Sequence, residues 1–173
     1  MTTISSVIIE AVHVPAAEKF YADAFGLGDV VSVRESDAAT SGFRGFTLSL
    51  VVAGPSTLGS LFDSAIAAGA TVINPIAKSL WGIGASVQAP DGAIWTIATS
   101  AKKDKGPATR DVDQVVLLIG ATDVPASKRF YLEHGLQSGK SFGSYVEFTQ
   151  AGAVSLSLYK RAALAKNAGV PPE

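Results

Sequence analysis

The chain offers few side chains that could do chemistry. Its 173 residues include two histidines, 15 acidic residues, 14 basic residues and no cysteine. Without cysteine there is neither a thiolate ligand nor a disulfide. The histidines are His13 and His134. Neither has a histidine or carboxylate four positions on, so neither begins a helical metal pair or a base-and-orienter pair. His134 ends a helical stretch, where an imidazole suits the negative end of the helix dipole. There is no GxGxxG or Walker loop to cradle phosphates. With two histidines, both poorly placed, Ser-His hydrolysis is left without support. What remains is two carboxylates in strand-like runs, Glu10 and Glu147, with hydroxyls and aromatics around them.

The elements that must position these residues come in two copies. Val14 to Leu27, VPAAEKFYADAFGL, returns 110 positions later as Val124 to Leu136, VPASKRFYLEHGL. Pro15 and Pro125 suit a first helical turn, where no backbone N–H is needed. Ala17, Phe20, Tyr21 and Ala24 fall on one helical face. Gly26 and Gly135 are natural helix stops. Such a one-sided helix must lay its Phe-Tyr stripe on a sheet. Strands are expected over 6–14, 29–34, 43–52, 71–73, 83–88 and 93–100, with a second helix over 57–68. Pro75 is expected to stop the strand before it, and Ala89-Pro90-Asp91-Gly92 reads as a turn. Residues 35–42 are small and polar and read as a loop. Residues 101–111, AKKDKGPATRD, read as the linker between copies. The second copy then supplies a strand over 114–122, a helix over 124–134, and a hairpin of 144–149 and 153–160 joined by Gln150-Ala151-Gly152, with a helix starting at Arg161.

The order of these pieces resembles the glyoxalase, bleomycin-resistance and extradiol-dioxygenase proteins, the vicinal oxygen chelate group. The matching pieces are Phe20-Tyr21, Gly26-Leu27, Ala67-Ala68-Gly69-Ala70, Trp81-Gly82 and Ala89-Pro90-Asp91-Gly92. The resemblance implies an α+β fold in which paired βαβββ modules form a curved mixed sheet around a cavity. Residues 1–100 would be the first module, 101–111 the linker and 112–173 a second, incomplete βαββ module. Either the chain is shortened there or a partner chain completes the sheet, so a homodimer is expected. Enzymes of the group hold a divalent metal inside the cup. Here the slots for its ligands fall at Ser6, at Val116 with Gln114 nearby, and at Thr96. Hydroxyls bind divalent ions weakly and valine does not bind them. No metal or other cofactor is therefore expected, although the fold leaves a divalent ion open.

With helices outside the cup, alternation turns Ser6, Ile8, Glu10 and Val12 inward. It does the same for Tyr145, Glu147, Ser155, Ser157 and Tyr159, while Val146, Phe148, Leu156 and Leu158 face the helix. The candidate ligand-binding residues are Glu10, Phe46, Trp81, Thr96, Glu147 and Tyr159. Phe46 could alternate onto either face, and Trp81 would stand at the cavity mouth. Trp95 is expected in the core, and Glu147 has Lys140 or Lys160 as an alternative partner. Such a lining suits a small polar or cationic ligand. The expected function is a metal-free small-molecule binder of this type, with a metal-dependent lyase or dioxygenase using atypical ligands as the alternative.

The remaining composition narrows the partners. A net charge of −1 with dispersed Lys and Arg argues against nucleic acid. No run of about 18 apolar residues is present, so no membrane partner is expected. The start MTTISSVIIE lacks a basic region and a long apolar run, and a cytoplasmic location is expected.

Overall fold

A computed structural model describes residues 2–38, 42–149 and 151–173. Gln150 of the expected hairpin turn, and 39–41 of the expected loop, lie outside the described residues. In chain order the elements are β1 (Val7–Ala11), α1 (Val14–Ala24), β2 (Val31–Glu35), β3 (Phe46–Val51), α2 (Pro55–Ala67), β4 (Thr71–Ser79), β5 (Gly82–Gln88) and β6 (Ile94–Thr99). They continue as β7 (Gln114–Ala121), α3 (Val124–Glu133), β8 (Ser138–Phe142), β9 (Tyr145–Phe148), β10 (Val154–Lys160) and α4 (Arg161–Ala168).

Eight strands form one open mixed sheet in the order β4-β5-β6-β3-β7-β10-β9-β8. Its two halves meet where β3 runs antiparallel to β7, with Leu48 opposite Leu117. Each half repeats one pattern. The strand before the helix lies parallel to the last strand, β3 with β6 and β7 with β10, and the other pairs are antiparallel. The α+β class and the large mixed sheet are those the sequence implies. β1 and β2 stand apart, paired parallel to each other as a separate two-stranded sheet.

Two elements depart from local expectation. β4 runs through Pro75 to Ser79, because it is an edge strand whose register shifts on both sides of Asn74, and a proline there breaks no ladder on a second side. β8 carries no apolar alternation, since all five of its residues are exposed, so nothing in its sequence signals a strand.

The outer face of the sheet carries α1, α2 and α3. Leu48, Leu50, Trp95, Ile97 and Val87 form the floor of the main core, with Phe20, Tyr21, Leu58 and Leu61 of the helices above them. A second cluster, Val146, Phe148, Leu156 and Leu158, lies under α3. α1 packs against α2, and its Ala17, Phe20, Tyr21 and Ala24 are buried as the helical spacing predicts. Its repeat α3 packs chiefly on β9 and β10 and buries no residue fully. Residues 101–111 are tied down rather than loose. Asp104 accepts hydrogen bonds from the N–H and hydroxyl of Ser56 at 2.8 and 2.5 Å, at the start of α2. Arg110 donates to the carbonyls of Asp23 and Ala24 at 3.0 and 3.1 Å, satisfying the end of α1.

Candidate functional site

The inner face of the sheet is set by strand alternation. With Leu48, Leu50, Trp95 and Ile97 committed to the helices, their neighbours Thr47, Ser49 and Thr96 must turn the other way. In the second half Val116 and Leu118, then Ser155, Ser157 and Tyr159, then Tyr145 and Glu147 share that face. Most of the hydroxyls are buried and satisfy one another. Ser49 bonds to Thr96, Gln114 donates to Ser155 at 2.6 Å, and Asn74 donates to Ser86 at 2.9 Å. The Tyr145 and Ser157 hydroxyls are 3.1 Å apart.

The chain's own α4 lies on this face. Leu164, Ala165 and Ala168 are buried against Phe43 and Ile94, with Leu118 and Tyr159 at the border of the cluster. Arg161 holds the segment in place. Its guanidinium donates to the carbonyl of Phe43 at 2.7 Å and to that of Pro172 at 3.0 Å, and lies 5.2 Å from the centre of the Phe43 ring. The N–H of Phe43 in turn donates to the carbonyl of Glu173 at 2.9 Å. Gly120 makes this approach possible, since a Cβ there would stand 3.1 Å from Arg161 Cα. The sequence placed a helix after Arg161 but not its position inside the sheet's hollow.

The six candidate residues separate into two groups. Thr96, Glu147 and Tyr159 lie on the inner face, but Thr96 is on β6 and Glu147 on β9, with three strands between them. Four strand spacings are about 19 Å, so one small ligand does not touch both. Glu10 lies outside the hollow. β1 is not part of the large sheet, and Ile9 and Ala11 are the buried side of that strand, which leaves Glu10 beside exposed Ile8 and Val12. Its carboxylate pairs with Arg34 of β2, and this hydrogen bond, helped by the Arg34 charge, holds its pKa below the usual carboxylate value. Phe46 packs on the outer side against the main core, with the Arg44 guanidinium 5.5 Å from its ring centre. Trp81 is 79% exposed at the β4–β5 turn. Trp95 is in the core as expected.

Glu147 makes neither of the alternative ion pairs. Among the described residues its carboxylate has no hydrogen bond and no cation within salt-bridge distance, and the residue is half-buried. Tyr145 precedes it on the same face of β9, and Tyr159 lies on β10 opposite Tyr145. The two rings meet edge to face with centroids 6.0 Å apart. Phe142 of β8 pairs with Tyr145 across the β8–β9 hairpin and extends the aromatic row. Tyr145 and Phe142 were not among the six candidates. Alternation alone turns Tyr145 inward, whereas Phe142 is revealed only by cross-strand register, since the sequence does not show that β8 is a strand.

The donor set does not fit a divalent metal ion. Among the described residues no three His, Cys, Asp or Glu side chains gather in one place. Of the ligand slots implied by the resemblance, Val116 is buried and apolar, Thr96 is bonded to Ser49, and Ser6 precedes β1. Hydroxyls already bonded to one another are poor ligands for a divalent ion.

No family model matches the chain, and no curated protein matches it. Solved structures do. Glyoxalase I from Zea mays superposes with a TM-score of 0.66 at 13% identity, over 90% of this chain and 66% of the maize chain. A proposed dioxygenase from Bacillus subtilis gives 0.62 at 12% identity, over 91% of this chain and 63% of that one. A glyoxalase/bleomycin resistance protein/dioxygenase family enzyme from Burkholderia phytofirmans gives 0.52 at 21% identity, over 58% of this chain and all of that one. The chain thus spans about two thirds of the length of the longer relatives. The chain carries the fold of the glyoxalase, bleomycin-resistance and dioxygenase proteins, the vicinal oxygen chelate fold.

Proposed function

We propose that the protein binds a small organic cation on the inner face, at the β9–β10 end of the sheet, with no resident metal and no reaction. Glu147 carries this reading. A half-buried carboxylate without a cationic partner is costly unless something neutralises it. Tyr145 and Tyr159 beside it present ring faces and edges of the kind that hold alkylammonium groups. α4 covers the middle of the inner face and leaves this end as the accessible part. The fold shared with proteins named for bleomycin resistance is consistent with drug-sized ligands. The protein would act by sequestration, as a cytoplasmic homodimer whose contacts cover the exposed sheet edges β4 and β8.

Calorimetric titration with benzyltrimethylammonium and its neutral carbon isostere tests the reading. The cation should bind and the isostere should not. Glu147→Gln should weaken the cation about tenfold, as expected for one desolvated charge contact. Unchanged affinity in Glu147→Gln would remove the site. Stoichiometric divalent metal in protein purified without chelator would instead support the lyase or dioxygenase alternative.

A further inference from the structure

We infer a second binding site, for a small organic anion, in the groove between α3 and the β8–β9 hairpin on the outer face. It is a cavity of about 650 Å³, within the range that holds a drug-sized ligand. Its floor is apolar, built by Val146 of β9 with Val124 and Pro125 of α3. Lys128 and Lys160 stand at its walls. Neither has a carboxylate within salt-bridge distance among the described residues, and Lys128 is steered by a 3.3 Å hydrogen bond to the Ser141 hydroxyl. Asp123 also borders the groove, but its carboxylate accepts from the N–H of Ala126 at 2.9 Å and is used as the cap of α3. That bond also occupies a first-turn N–H, so the two ammonium groups, and not the helix terminus, attract the anion.

The internal repeat shows that the charge here is not imposed by the shared motif. The first copy has a smaller groove, of about 330 Å³, farther along α1 and beside β2, and it includes the position equivalent to Lys128. Lys128 corresponds there to Glu18, and Asp29 adds a second acid. The basic residue at this position is specific to the second copy. Two cations over an apolar floor select a ligand with an anionic head, carboxylate or phosphate, and a flat apolar body.

The test is calorimetric titration of the full chain with 1-naphthyl phosphate, 1-naphthoate and neutral 1-naphthalenemethanol. Saturable binding of at least one of the two anions, and none of the alcohol, is expected, and the comparison shows which head is preferred. Lys128→Gln with Lys160→Gln should weaken the preferred anion tenfold or more, and added salt should weaken it further. Lys19→Gln on α1 should change nothing. Should the double variant fail to fold, Lys128→Glu alone, which restores the first copy's residue, should give the same loss. No saturation by about 10 mM would overturn the site, since that is weaker than the millimolar binding a few kcal/mol supplies. Equal binding by the double variant would also overturn it, as would loss of binding in Glu147→Gln, which would move the ligand to the opposite face.

Discussion

Phe20 and Phe130 occupy the same place in two copies of one motif, yet Phe20 is 3% exposed and Phe130 is 53% exposed. Substituting each by alanine should therefore have different consequences. Phe20 lies buried in the main core, in edge-to-face contact with Tyr21 at 5.1 Å and Phe25 at 5.9 Å. Removing it leaves a cavity in the main core and should cost about 3–5 kcal/mol. Phe130 forms no part of the core under α3, and its nearest ring is His134 at 4.2 Å, itself exposed. With half its surface already in water it contributes about half the burial of a phenylalanine, roughly 1 kcal/mol, and leaves no sealed cavity. Urea unfolding followed by tryptophan fluorescence measures both, and the slope m should stay constant while the midpoints diverge. In heat the Phe20 variant should melt roughly 10 °C lower and the Phe130 variant only a few degrees lower. Equal costs at low protein concentration would refute the assignment of the two environments. A Phe130 cost that grows with protein concentration would show instead that another molecule covers α3.

Tyr21 gives a pH signature. Burial first, and then the charge of Asp91 with its 2.5 Å hydrogen bond, push the Tyr21 pKa well above the usual tyrosine value near 10. Above that pH the unfolded chain loses the tyrosine proton while the folded chain keeps it, so the stabilisation is full below pH 10 and falls as pH rises further. Unfolding free energies between pH 8 and 11 should show a steeper alkaline fall in the wild type than in Tyr21→Phe, and parallel curves would contradict this. Gly120→Ala should destabilise by about 1–3 kcal/mol. Its Cβ would sit 3.1 Å from both Arg161 Cα and the Gly45 carbonyl, and hydrogen exchange should report a loosened α4. Glu10→Gln should leave stability nearly unchanged, because its ion pair with Arg34 is solvent-screened. It should also leave cation binding unchanged, and a loss of binding would bring Glu10 back as a ligand residue.

Much of the secondary structure was legible because it rests on local rules. Pro15 and Pro125 mark helix starts, the Phe-Tyr stripe marks a helix face, and the Val154–Lys160 alternation separates Leu156 and Leu158 from Ser155, Ser157 and Tyr159. These follow from the 3.6 and 2.0 residue periods, which any short window of sequence contains. Such windows also locate Glu147 and Tyr159 on one face. Trp81 and Phe46 were less accessible, since a turn tip has no period and a strand buried on both sides shows no unique outward face.

By itself the sequence determined the repeat, the α+β class, the faces of the amphipathic elements and the lack of an imidazole or thiolate cluster. Only the tertiary structure decided that β1 leaves the large sheet and takes Glu10 with it, that β8 completes the row beside Tyr145, and that α4 settles into the hollow over Phe43 and Ile94. The division has one physical cause. Periodicity is a property of neighbours in the chain, whereas strand partners and helix docking are chosen by apolar surface and backbone hydrogen bonds brought together from distant positions. Arg161 and Phe43, 118 residues apart and joined by a hydrogen bond and a guanidinium–ring contact, show how far those choices reach beyond any local pattern.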